Sequence, residues 1–82
     1  MPNVILQTTE YGITTERIVP IDFALRQLDA GFDRVSIVDM DFDTVIATSD
    51  HIDDYAAETF SELFDGAADD FAETAADYLS AR

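Results

Sequence analysis

The sequence has no lysine and no cysteine, and it sets four arginines against eighteen acidic residues. Each absence excludes something. Without cysteine there is neither a disulfide framework nor a thiolate metal site, so packing alone has to stabilise the fold. No apolar run approaches the roughly 20 residues of a helical membrane span, and no basic segment followed by an apolar stretch opens the chain. The expectation is a soluble, cytoplasmic protein. At a formal net charge of −14, its surface repels nucleic acid and anionic lipid. It attracts basic protein or metal ions over about 8 Å at physiological salt.

What is present is a foldable chain. Its 82 residues are 48% hydrophobic, with six phenylalanines and three tyrosines, which separates it from disordered acidic tails. The length suits one compact domain over residues 1–82, as a monomer or homodimer, and a chain this short buries only about 60% of its unfolded surface.

Hydrophobic patterning predicts an α+β domain. Val4 to Thr9 reads as a strand that extends past Tyr11 before Gly12, and residues 12 to 18 read as a loop or extended arm. Pro20 suits the first turn of a helix, with Ile21, Ala24, Leu25 and Leu28 at helical spacing and Gly31 as C-terminal cap, about 11 residues in all. Arg34 to Asp39 and Thr44 to Thr48 are β-branched runs that pair as an antiparallel hairpin. Ser49 or Asp50 then caps a second helix, with Ile52, Tyr55, Ala56, Phe60, Leu63 and Phe64 inward. Gly66 ends it. In the third helix Ala68, Phe71, Ala72, Ala75, Tyr78 and Leu79 face inward. The expected order is β-α-β-β-α-α, with a small, mainly antiparallel three-stranded sheet packed on one face against helices.

Charge is concentrated late in the chain. Up to Arg34, five acids meet three arginines; from Val35 onward, thirteen acids meet one arginine. Two four-residue spacings stand out there: Asp54, Glu58 and Glu62, and Asp69, Glu73 and Asp77. A step of four residues is about 6 Å along a helix and returns to nearly the same face, so each set forms a row of carboxylates. Four like-charge pairs at this spacing cost about 1 to 2 kcal/mol together, a noticeable share of a small domain's stability. Asp39, Asp41 and Asp43 make a second acidic cluster near the hairpin turn.

Duplex DNA carries a charge about every 1.7 Å of axis, and two adjacent carboxylate rows approximate a stretch of that backbone at lower density. In size, acidity and the charge pattern of residues 39 to 77, the chain resembles the DNA-mimic inhibitors that phages and plasmids use against host defence, including anti-CRISPR and anti-restriction proteins. The resemblance implies a protein that acts in the host cytoplasm. It would bind and block the basic nucleic-acid-binding surface of a nuclease complex such as CRISPR-Cas, through Asp54, Glu58, Glu62, Asp69, Glu73 and Asp77, with Asp39, Asp41 and Asp43 in support. The alternative is salt adaptation: thirteen aspartates, no lysine and abundant Ala and Thr match haloarchaeal composition. The protein would then be an adaptor whose acidity says nothing of its partner.

Other motifs weigh less. Asp39, Asp41, Asp43 and Asp50 match positions 1, 3, 5 and 12 of a calcium-binding loop, but Thr44 stands where that loop needs glycine and a strand precedes it. Asp41, Asp43 and Val45 are similar to the nucleophile motif of haloacid-dehalogenase phosphatases, whose large parallel sheet 82 residues cannot build. His51 is the only imidazole that Ser49, Ser61 and Ser80 could share, so a nucleophile-base pair is hard to assemble. The expectation is therefore no enzyme, no cofactor and no metal. Phe60, Phe64 and Phe71 read as core, whereas Phe42 and Tyr78 are placed to anchor an interface.

Overall fold

The computed structural model describes residues 2–81. It contains β1 (Asn3–Glu10), β2 (Ile13–Pro20), α1 (Ile21–Gln27), β3 (Arg34–Asp39), β4 (Thr44–Thr48), α2 (Asp54–Leu63) and α3 (Phe71–Ser80). One four-stranded sheet has the order β2-β1-β3-β4, and every neighbouring pair is antiparallel. The three-stranded sheet and the β-α-β-β-α-α order expected from the sequence are therefore wrong by one strand.

That strand is β2, which occupies the stretch expected to be a loop or extended arm. The register pairs Glu10 with Ile13, so Tyr11 and Gly12 alone form the turn, with φ of 55° and 78°. Positive φ at both central residues marks a type I′ hairpin, whose twist matches that of the strands it joins. β2 lacks the usual signal because only Val19 in it is buried. Its stability comes from full-length pairing with β1 and not from an alternating buried face.

β2 runs into α1 without a loop. Pro20 has the extended conformation of a helix N-cap and closes the strand, and the Ile21 amide donates to the Pro2 carbonyl at 3.1 Å. α1 is seven residues long, not eleven. Leu28 caps it, and the chain continues through a turn to Gly31 at φ 85°. The β3–β4 hairpin has the expected bounds, with a bulge opposite Ile37 and Val38 that puts both Ile46 and Ala47 in the interior.

The cap of α2 also differs. The Ser49 hydroxyl is buried and accepts from the Val35 amide at 3.2 Å, so it serves the sheet. Residues 48 to 51 make a tight turn, Ile52 returns to bridge Ala47, and Asp53 caps the helix by accepting from the Ala56 amide at 3.1 Å. At the other end, Asp65 takes the left-handed position at φ 57°. Its amide donates to Glu62 O, and that of Gly66 donates to Ser61 O at 2.7 Å. This is a Schellman motif, with aspartate where glycine is usual.

All three helices pack on one sheet face. Val4, Leu6, Val35 and Ile37 meet Ile21, Leu25, Phe60 and Phe71 in a single core. Phe60 lies 4.8 Å from Phe64 and 5.6 Å edge-on to Phe71, between ring centroids, within the range of favourable aromatic pairs. Two residues expected inside point out: Tyr55 is 82% and Leu63 53% exposed. The buried arc of α2 is centred on Phe60 and takes in Ala56 and Ala57. Tyr55 and Leu63 fall beyond its edge. Among the described residues no helix is long and apolar enough to cross a membrane.

Candidate functional site

All six carboxylates of the two rows are exposed, but they do not form two matched helical lines. Asp54, Glu58 and Glu62 do lie on α2. On α3 only Glu73 and Asp77 are helical, because the helix begins at Phe71 and Asp69 sits in the preceding turn at φ 49°. The reason is local. Ala68, Asp69 and Asp70 are three consecutive residues with positive φ, a conformation incompatible with a right-handed helix.

That turn is fixed by side chains from both helices. The Ser61 hydroxyl accepts from the Phe71 amide at 2.8 Å, and Thr74 donates its hydroxyl to Ala68 O at 2.8 Å. The result brings together carboxylates that four-residue spacing does not connect. Glu58, Glu62, Asp65 and Asp70 line one open groove of about 480 Å³ beside the α2 C-terminus. Glu73 and Asp77 lie outside it. No lysine or arginine occurs between Val35 and Ala81 to offset this charge.

The hairpin cluster also separates. Asp41 and Asp43 are exposed in the turn, Asp43 at φ 52°, whereas Asp39 is only 4% exposed. It points to the helix-bearing side because it stands opposite Val4 and Thr44 on neighbouring strands. Its Oδ1 accepts the Asp41 amide at 2.9 Å. Asp39 is thus not part of an exposed acidic face. Among the described residues no group of three or more His, Cys, Asp or Glu is placed to hold a metal ion; of the four aspartates with calcium-loop spacing, Asp39 is buried and Asp41, Asp43 and Asp50 are exposed. His51 is exposed, and the hydroxyls of Ser49 and Ser61 accept from backbone amides.

A smaller groove of about 230 Å³ lies between the β3–β4 turn and α2. Asp39 and Thr44 line its sheet side, Ile46 and Ala56 its apolar floor, and Phe42, Tyr55 and Thr59 its rim. Phe42 is 60% exposed, and Tyr78 is half-buried against the core. Helical spacing assigns Tyr55 to the core and strand alternation assigns Asp39 to the surface, so the pattern of the sequence does not reveal this groove. A usable signal was the position of Asp39 at the end of Val35–Val38, a run of residues all suited to burial.

The helix-free sheet face differs in character. The strand register sets Ile18, Ile5, Val38 and Val45 in one row across all four strands, with Ile18 62% exposed. The exposed acids of α2, α3 and their connecting turn belong to the opposite side. No protein-family model matches the chain, and neither a curated protein nor a solved structure gives a match.

Proposed function

We propose that this protein is an acidic inhibitor that occupies the Lys/Arg-lined, nucleic-acid-binding surface of a partner by imitating phosphates. The observation that carries the reading is the convergence of Glu58, Glu62, Asp65 and Asp70 on one groove, with Asp54, Glu73 and Asp77 exposed on the adjoining helices and no cation within residues 35–81. Like charges at helical spacing oppose folding, so the pattern is better explained by a partner than by stability. A host nuclease complex of the CRISPR-Cas type is the partner class that fits, because its channel is built to take an extended line of phosphates. Association would be steered and strongly salt-dependent. The reading assigns no catalytic step and needs no cofactor.

The experiment is competition against a fluorescent duplex for such a complex. Wild type should displace the duplex, and Glu58→Lys, Glu62→Lys, Glu73→Lys and Asp77→Lys together should abolish displacement while the circular dichroism spectrum stays unchanged. Asp69 is left out because a lysine at φ 49° would add backbone strain. Displacement by the reversed variant would defeat the proposal.

One observation favours salt adaptation as a second reading. Asp29, Asp33, Asp41, Asp43, Asp50 and Asp69 are exposed in the connecting turns, so carboxylates also occur away from the groove. Thermal melts at about 20 mM and about 3 M potassium chloride separate the readings, since salt screens surface repulsion. A cooperative fold at low salt supports the inhibitor. Unfolding at low salt with recovery at high salt supports the adaptor of a saline cytoplasm.

A further inference from the structure

We infer that the groove between the β3–β4 turn and α2 is a receptor for a single arginine side chain of the basic partner. The inference rests on reading the protein as a binder of a cationic surface, and it gives that surface one anchoring residue.

Asp39 supplies the negative charge of this groove. Its side chain is almost wholly inside, yet only Oδ1 has a partner, the Asp41 amide. No buried side-chain oxygen among the described residues lacks a hydrogen bond, so Oδ2 retains access to the outside through the groove that Asp39 lines. None of the described arginines serves it. The Arg17 guanidinium sits 5.6 Å over the Phe23 ring, Arg26 Nε points to Asp22 O, and Arg34 is at the opposite end of β3. A mostly buried carboxylate with one oxygen open to the groove and no cation beside it is complementary to a cation from outside.

The rest of the lining selects among cations. Thr44 donates its hydroxyl proton to Phe42 O at 3.1 Å and Thr59 donates its own to Tyr55 O at 2.9 Å. Both hydroxyls therefore have only lone pairs left to offer, and with Asp39 Oδ2 they make a polar lining of acceptors. Ile46 and Ala56 supply an apolar floor for a methylene stem, and Phe42 and Tyr55 present aromatic rings at the rim. A planar group with five N–H donors, weakly hydrated and prone to stack on aromatic faces, satisfies all three features together. That is a guanidinium. An ammonium is more strongly hydrated and has no flat face to stack.

The test is a titration of the isotopically labelled full chain with N-acetyl-arginine amide and with N-acetyl-lysine amide, followed by amide chemical shifts. Saturating shifts confined to residues 39–46 and 55–59, with the arginine probe clearly tighter, are expected. Asp39→Asn retains an oxygen for the Asp41 amide but loses the charge, and should weaken the arginine probe by about tenfold. Tyr55→Ala, at a residue that folding leaves exposed, should weaken it by about threefold. Glu58→Gln with Glu62→Gln should leave the response in place. Equal affinity for the lysine probe, an unaltered response in Asp39→Asn, or non-saturating shifts spread along the α2 and α3 carboxylates would each overturn the inference. If the arginine probe fails while duplex displacement succeeds, the groove assignment is wrong and the inhibitor reading stands. If the probe saturates while displacement fails, the partner class is wrong and the arginine receptor stands.

Discussion

The Ser61 hydroxyl, near the end of α2, accepts a hydrogen bond from the Phe71 amide at the start of α3, and both residues are buried. Asp70, the N-cap residue of α3, makes no side-chain cap hydrogen bond. A neighbouring helix thus supplies the cap that the local sequence does not. Ser61→Ala should leave the Phe71 amide buried without a partner and cost about 1 to 3 kcal/mol in urea unfolding. A loss below about 0.5 kcal/mol, smaller than a typical net hydrogen bond, would show that water reaches this amide.

Asp53 caps α2, and the earlier Asp50 does not. Asp53→Ala should lower stability by about 0.5 to 2 kcal/mol. Asp50→Ala should stay within about 0.5 kcal/mol of wild type, as for other surface changes. Paired urea curves check both. Equal losses would place the helix start earlier than Asp54.

The hairpin that adds β2 depends on two residues with positive φ. A Cβ on Gly12 would meet no atom within 4 Å, so Gly12→Ala carries a backbone penalty and no steric one, and about 1 to 2 kcal/mol of destabilisation is expected. Tyr11 is 88% exposed, and Tyr11→Asn should stabilise the turn by about 0.5 to 1 kcal/mol, since Asn tolerates this conformation better. Thermal unfolding of both variants checks the signs, which should be opposite.

Three like-charge pairs remain at helical spacing: Asp54 with Glu58, Glu58 with Glu62, and Glu73 with Asp77. At about 0.2 to 0.5 kcal/mol each, their combined repulsion is about 0.6 to 1.5 kcal/mol. Raising sodium chloride from about 0.02 M to about 0.5 M shortens the Debye length several-fold and should recover most of that as added stability. Glu58→Gln should reduce the salt dependence more than Asp69→Asn, because Glu58 takes part in two of the pairs and Asp69 in none.

The sequence was most legible where burial and periodicity agreed. The β3–β4 hairpin and the Phe60, Phe64 and Phe71 cluster were readable because β-branched runs and helical spacing both pointed inward. β2 was not, because an edge strand held by backbone pairing shows no alternation, and the Tyr11-Gly12 turn lacks the Asn-Gly or Asp-Gly signature. The α2 cap is hidden in the sequence for a related reason. Ser49, Asp50 and Asp53 are all good caps in isolation, and only the tertiary use of Ser49 by Val35 decides among them. The carboxylate rows were legible as a concentration of charge, but their geometry was not. Asp69 belongs to a turn whose three residues with positive φ are held by Ser61 and Thr74, and spacing along the chain carries no trace of those contacts.

Strand order turns the lopsided distribution of charge along the chain into a gradient across the molecule. The sparsely charged hairpin of β1 and β2 forms one side of the sheet, and β3 and β4, with α2 packed on β4, form the other. The folded protein therefore has a permanent electric moment directed across its strands. In the field of a cationic surface it experiences a torque before any contact is made. In such a field the β4 and α2 side would lead and the Arg17 edge would trail.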